Sequence, residues 1–208
     1  MNVRLYFFFP KKTLTPQLFL DIKKKMASNT KPVHSMVDLE TLDTEPNSAI
    51  LSVGALAFTL EGGRIAKIET FHMKVDPKYY DTDTHGFSIS EATLAWWKER
   101  PNYEDAFSGT HDLPTVLLAF CKWWTDNFDR KRTQIWAQGA DFDFPILKNA
   151  LKKFGMEVPW DYWNQRDTRT LYSLVVGVRR LPIAHDALGD CINQVLQVCD
   201  AYKRLKKK

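Results

Sequence analysis

Apolar and polar positions first settle into order at Val33-His34-Ser35-Met36-Val37-Asp38-Leu39-Glu40-Thr41, which predicts a buried strand ending in two acids. A turn-rich segment with Pro46 and Asn47 follows it. Ile50 to Phe58 is apolar and rich in strand formers, and Ile65 to Val75 alternates loosely. Glu61-Gly62-Gly63-Arg64 between them is a hairpin turn signal, so three strands form an antiparallel meander. The period then lengthens to that of helices. Ser88-Ile89-Ser90-Glu91 reads as a capping box ahead of a helix over Ala92–Arg100, which Pro101 ends. Asp112 and Pro114 open a second helix, with Val116, Leu117, Phe120, Trp123 and Trp124 on one face. Thr133–Ala137 is a short buried strand, and Phe144–Phe154 a helix closed by Gly155. A helix follows Asp167 through Leu171, Leu174 and Val175. The last runs from about Asp186, with Cys191, Val195, Val198, Tyr202 and Leu205 down one side. This order of elements predicts an α/β fold, a mixed central sheet with helices on both faces.

The first 31 residues break the pattern. An aromatic patch, Leu5-Tyr6-Phe7-Phe8-Phe9, is cut by Pro10 and followed by lysine runs without sustained periodicity. They are read as an extension outside the folded domain, with a short amphipathic helix over 16–26 as the competing view. The domain is placed at 32–202, followed by a basic tail at 203–208. The patch is too short for a secretory h-region, and no apolar run approaches the ~20 residues that span a membrane. A cytosolic protein without membrane association is expected. Cys121, Cys191 and Cys199 sit in apolar helical patterns without metal-ligand spacing, so they read as reduced core thiols.

Composition adds two points. A 44% hydrophobic chain of 208 residues supports one domain with an ample core. Its net charge of +4 is unevenly placed: seven Lys/Arg against one Asp in 1–31 and five cations in 203–208 leave a body seven charges negative. Basic ends on an acidic body suit a protein that meets a polyanion and gathers carboxylates, although lysine tails also serve solubility alone.

The carboxylates carry the chemistry. Asp38 and Glu40, two apart on a strand, project from one face ~6–7 Å apart along the chain. Carboxylates held that close repel unless one is protonated or a cation lies between them, and a divalent metal is the simplest such cation. For this pair alone, solvated acids at a strand end is an equal reading. Two further clusters occur where strand patterns hand over to helices: Asp141-Phe142-Asp143, and His185-Asp186-Ala187-Leu188-Gly189-Asp190. Each alone reads as capping or dipole compensation.

Taken in order, D-x-E, F-D and H-x-x-x-x-D resemble the signature of the DEDDh exonucleases, in the DnaQ-like branch of the RNase H-like superfamily. The resemblance covers roughly 33–202. Val37–Thr41, Trp96-Trp97, Trp136–Asp143 and Trp160–Leu171 further resemble the phage exonuclease A group and bacterial 3'-5' exoribonucleases. It implies an RNase H-like five-stranded mixed sheet, three antiparallel strands plus parallel ones. It also implies that Asp38, Glu40, Asp143 and Asp190 hold two Mg²⁺ ions, with Asp38 bridging and Mn²⁺ able to substitute. His185 is then the general base, a residue type suited to proton transfer near neutral pH. Thr41 and Leu42 match positions that abut the 3'-terminal nucleotide. Two departures stand out: Asp141 adds a carboxylate before Asp143, and Gln138 replaces a common Asn.

Aromatic residues and arginines are less decided. Trp123, Trp124 and Trp136 read as core. Trp96 and Trp97 are adjacent, so one of them can line the substrate groove, and Trp97 is taken as the substrate contact. Arg166 and Arg169 flank Asp167; Arg166 is taken as a candidate phosphate contact, with a local salt bridge to Asp167 as the structural alternative. The resulting expectation is a metal-dependent 3'-5' exonuclease on single-stranded ends, DNA favoured, releasing nucleoside 5'-monophosphates. The alternatives are an exoribonuclease with the same site and, in another class, an idle nucleic-acid-binding module; all four acids and the histidine being present argue against the last. Homodimers are common among such relatives, and the sequence leaves the oligomeric state open.

Overall fold

The computed structural model describes residues 34–61 and 64–206. The expected N-terminal extension, the hairpin glycines Gly62 and Gly63, and the last two lysines lie outside the described residues. Five strands, β1 (His34–Thr41), β2 (Ile50–Glu61), β3 (Arg64–Lys74), β4 (Gln134–Ala137) and β5 (Gln165–Asp167), form one sheet in the order β3-β2-β1-β4-β5. The first three pair antiparallel, and β4 and β5 run parallel to β1. The mixed sheet is therefore the one expected.

Among the described residues, six α-helices accompany it: α1 (Glu91–Lys98), α2 (Tyr103–Ala106), α3 (Leu113–Asn127), α4 (Ala140–Lys153), α5 (Thr168–Ser173) and α6 (Ala187–Leu205). Strand alternation sorts side chains to two cores. Val37, Leu39, Val53, Ala55, Ile135 and Ala137 join the core formed with Val116, Leu117 and Phe120 of α3 and Phe144 and Leu147 of α4. Met36, Leu56, Phe58 and Trp136 point the other way, onto Leu171 of α5 and Cys191, Val195 and Val198 of α6. Both faces of β1 and β2 are thus buried, which is why β2 reads as a nearly continuous apolar run. A third cluster joins Leu42, Ala49 and Leu51 to Trp97 and Ala106 of the α1–α2 corner.

Several boundaries differ from the sequence reading for identifiable reasons. Ser90, not Ser88, caps α1 by accepting from the Thr93 N–H, because Ser88 is occupied in a bridge to Ser48. Helix α4 begins four residues earlier than expected, at Ala140. Pro145 lies inside the helix, where its missing N–H costs only one bond near the start. Its cap is Gly139 at φ 108°, a left-handed conformation that disfavours any side chain, with the Arg169 guanidinium 3.0 Å from where a Cβ would stand. Helix α5 stops at Ser173, short of Leu174 and Val175. Cys121, Cys191 and Cys199 are free thiols. No described helix is long and apolar enough to cross a membrane.

Candidate active site

Strand lengths create the crevice. The β1–β4 ladder ends at Met36–Trp136, while β1 continues to Thr41. Five residues of β1 therefore run past its parallel neighbour, and the gap admits the start of α4. A bulge where Glu40 pairs Ser52 but Thr41 pairs Ile50 then turns the strand end. Asp38 and Glu40 share the face of Met36, toward α6. Asp190 occupies the first turn of α6. One carboxylate oxygen from each of Asp38, Glu40 and Asp190 lies within 4.8 Å of the other two.

Asp143 approaches β1 from the far side of the sheet. It is buried in the first turn of α4, and its Oδ1 accepts from the Leu39 N–H, between the two acids of β1, at 3.1 Å. It stands outside the three-carboxylate group but within its field. Asp141 is exposed on the same turn and neither caps the helix nor joins the cluster.

The field is severe. Burial, opposed by the Gln194 hydrogen bond and reinforced by Asp190 and Asp186, pushes Asp38 up to about 8. Burial, then Asp38, Asp190 and Asp186, pushes Glu40 up to about 9. Asp143 is raised well above the usual carboxylate range by burial and then by Asp38, against the pull of the Leu39 N–H. Asp190 is also raised by burial, although two N–H donors favour its ionised form. Four acids in one partly dry volume cannot all ionise without compensation. A hard, divalent cation supplies that compensation, and an all-oxygen donor set suits one. The residues present fit the metal.

His185 precedes α6 with φ 52°, a left-handed backbone in a residue other than glycine. Such a conformation costs of order 1 kcal/mol and persists only where surroundings hold it. Here they do. Asp190 Oδ1 accepts from the Ala184 N–H at 2.7 Å and Oδ2 from the His185 N–H at 2.8 Å. Asn102 Nδ2 donates to the His185 carbonyl at 2.6 Å. The Trp96 ring meets the imidazole edge-on, centroids 4.7 Å apart.

The expected substrate contacts fare unevenly. Trp97 is 1% exposed, and its Nε1 donates to the Thr41 carbonyl at 2.9 Å. It braces the strand end from below instead of lining a groove. Its neighbour Trp96, 37% exposed, takes the outer position, because the helix turns one of two adjacent rings outward. Thr41 is buried, its hydroxyl donating to the Asp43 carbonyl, and Leu42 is buried with both backbone groups engaged by Ala49 and Ser90. Arg166 Nη1 donates to the Trp163 and Gln165 carbonyls, and no bond to Asp167 forms among the described residues. Asp167 instead caps α5. Sequence reasoning passed over Gln194, whose Nε2 donates to Asp38 Oδ1 at 2.7 Å; four residues beyond Asp190 on one helix, it shares that face. Asn102 carried no comparable signal. Of the remaining histidines, His34 packs among Phe58, Trp136 and Tyr202, while His72 Nε2 lies 3.8 Å from Asp186 at the site's edge.

Residues 33–201 match the Rv2179c-like 3'-5' exoribonuclease domain. The chain belongs to that family. It is a 3'-5' exonuclease of the DnaQ-like type with an RNase H-like fold. The exodeoxyribonuclease of Enterobacteria phage T4 is 25% identical, the match covering 78% of this exonuclease and 86% of the phage protein. E. coli exonuclease I in complex with a dA13 oligonucleotide superposes with a TM-score of 0.61 at 11% identity, over 85% of this exonuclease and 42% of that chain. The zinc-bound form of the E. coli exonuclease I–ssDNA complex gives 0.57 at 14% identity, over 86% and 41%. The exonuclease described here spans less than half the length of those exonuclease I chains.

Proposed function

We propose that this exonuclease removes nucleoside 5'-monophosphates from the 3' end of single-stranded DNA, with Asp38, Glu40, Asp143 and Asp190 holding two Mg²⁺ ions. The observation that carries the reading is the meeting of Asp38, Glu40 and Asp190 within 4.8 Å of one another near the C-terminal end of β1. Two such ions, when bound, stabilise charge on the attacking and leaving oxygens of phosphodiester hydrolysis. Mn²⁺, which shares the preference for carboxylate oxygen, is expected to substitute. The chain's own residues do the rest. Gln194 fixes the rotamer of Asp38. Asp190 both faces the site and holds the Ala184 and His185 amides, so one side chain sets ligand and base together. The His185 imidazole takes the proton of the attacking water at a ring nitrogen. Trp97 and the bulge hold Thr41 and Leu42 as a rigid floor against which the terminal nucleotide rests.

A second reading, an exoribonuclease, is favoured by the description of the matched family. Discriminating RNA requires a contact to the 2'-hydroxyl. Matched 5'-labelled DNA and RNA single strands, with Mg²⁺ and then with EDTA, test both. A metal-dependent ladder shortening from the 3' end is expected, faster on DNA. A faster RNA ladder replaces the first reading with the second, and bound but intact strands in Mg²⁺ refute both.

A further inference from the structure

The left-handed histidine is held at more points than the four acids explain. Asp190 secures the N–H side of His185, but its carbonyl and its ring are secured from a separate element, the α1–α2 corner. Asn102, just before α2, donates to the carbonyl at 2.6 Å. Trp96, on the last turn of α1, stands edge-on to the imidazole at 85°. Trp96 is itself immobilised: the Arg100 guanidinium lies 4.6 Å from its ring centroid, Arg100 Nε donates to the Trp96 carbonyl, and Trp97 packs against it at 5.1 Å. Trp97 in turn is tied to the Thr41 carbonyl at the end of β1. The path from the acidic strand to the histidine thus runs through fixed rings, so the corner gauges where the imidazole sits relative to Asp38 and Glu40.

We propose that Trp96 and Asn102 are positioning residues for His185, holding backbone and ring in the one orientation from which the imidazole serves the reaction. The proposal rests on the reading of His185 as the base. An exposed tryptophan beside a nuclease site invites assignment as a stacking platform for a nucleobase, and the two roles differ in kinetics. A platform binds substrate in ground and transition states alike, so its loss raises KM. A residue that aims the base acts on the chemical step, so its loss lowers kcat.

The experiment is a double-mutant cycle on the full chain, with kcat and KM measured on a single-stranded oligonucleotide. Trp96→Ala and Asn102→Ala are each expected to lower kcat by about 10- to 100-fold with KM within about twofold of wild type. Trp96→Phe, which keeps an aromatic edge, recovers most of the rate. Placed on His185→Ala, either substitution causes no further loss, because its effect passes through the missing imidazole. The His185 ring proton resonances move in Trp96→Ala and Asn102→Ala, a readout independent of turnover. A raised KM at unchanged kcat overturns the proposal, as do losses that multiply with that of His185→Ala. Full activity in His185→Ala defeats the reading of His185 as base, a failure distinct from multiplicative losses on the residual rate of a slowed His185→Ala background.

Discussion

Gly54 offers the sharpest test of how the site is held together. It sits on β2 opposite Asp38 and directly under the start of α6. A Cβ built there falls 2.3 Å from the Ala187 carbonyl carbon, 2.4 Å from its oxygen and 2.5 Å from the Leu188 nitrogen. Ordinary contact begins near 3.4 Å, and the obstructing atoms are backbone, so no side chain can rotate aside. The first turn of α6 must retreat by about 1 Å, carrying Asp186 and Asp190 with it and dragging on His185. Overpacking of this kind costs typically 1–3 kcal/mol, and backbone contacts place Gly54→Ala toward the upper end, about 3 kcal/mol. At about 2–4 °C per kcal/mol for a chain of this size, the melting temperature falls by roughly 6–12 °C. Activity falls further than stability alone accounts for, since a displacement of about 1 Å in a catalytic group can cost ~100-fold. Thermal melting by circular dichroism and single-turnover cleavage below the variant's melting temperature measure the two effects. A Gly54→Ala protein with unaltered melting and rate would refute the claim that the close approach of β2 and α6 positions the acids.

Other consequences can be measured directly. Because Asp38 and Glu40 titrate near 8 and 9 in the folded protein, against 3.8 and 4.5 ordinarily, the fold holds more protons than the unfolded chain between those limits. Their contribution is fully present at acid pH and lost as pH rises, so metal-free melting temperature should fall from about pH 5 to about pH 9, with Mg²⁺ restoring more at the upper end; a flat profile would contradict the repulsion described. Asp143→Asn should abolish cleavage while the protein remains folded, whereas Asp141→Ala, altering an exposed side chain, should retain most of the rate; equal losses would mean the wrong acid was chosen. Gln194→Ala removes the bond that favours ionised Asp38, and a hydrogen bond to a charged group of about 1.5 kcal/mol corresponds to roughly tenfold weaker metal binding by calorimetry at neutral pH. Unchanged affinity would reduce Gln194 to packing.

Much of this was legible because the chemistry sits where patterns change. Asp38 and Glu40 close an alternating strand, and Asp190 opens a strongly periodic helix, so both stood out against their surroundings. Strand β5 did not: three residues supply no alternation, and its pairing with β4 is imposed by the sheet. The start of α4 reads four residues late in the sequence, because its first turn carries two acids and its cap is a glycine that gives no side-chain signal. The choice between Trp96 and Trp97 depended on the rotation of α1 about its axis, which the Leu42–Leu51 cluster determines from the far side of the chain. Asn102 escaped notice altogether; a hydrogen bond spanning 83 residues leaves no local trace.

Asp190 spends both oxygens on the amides of Ala184 and His185 while facing Asp38 and Glu40. Those N–H bonds strengthen when the carboxylate is ionised, and a cation in the site favours that form. With Asp190 as a ligand, as proposed, metal occupancy and the order of the histidine segment become one equilibrium. Hydrogen exchange at two backbone amides should follow the metal with no substrate present. On the proposed reading, removing the cation also loosens the base, so loss of activity without metal is cooperative, ligand and proton acceptor being withdrawn together.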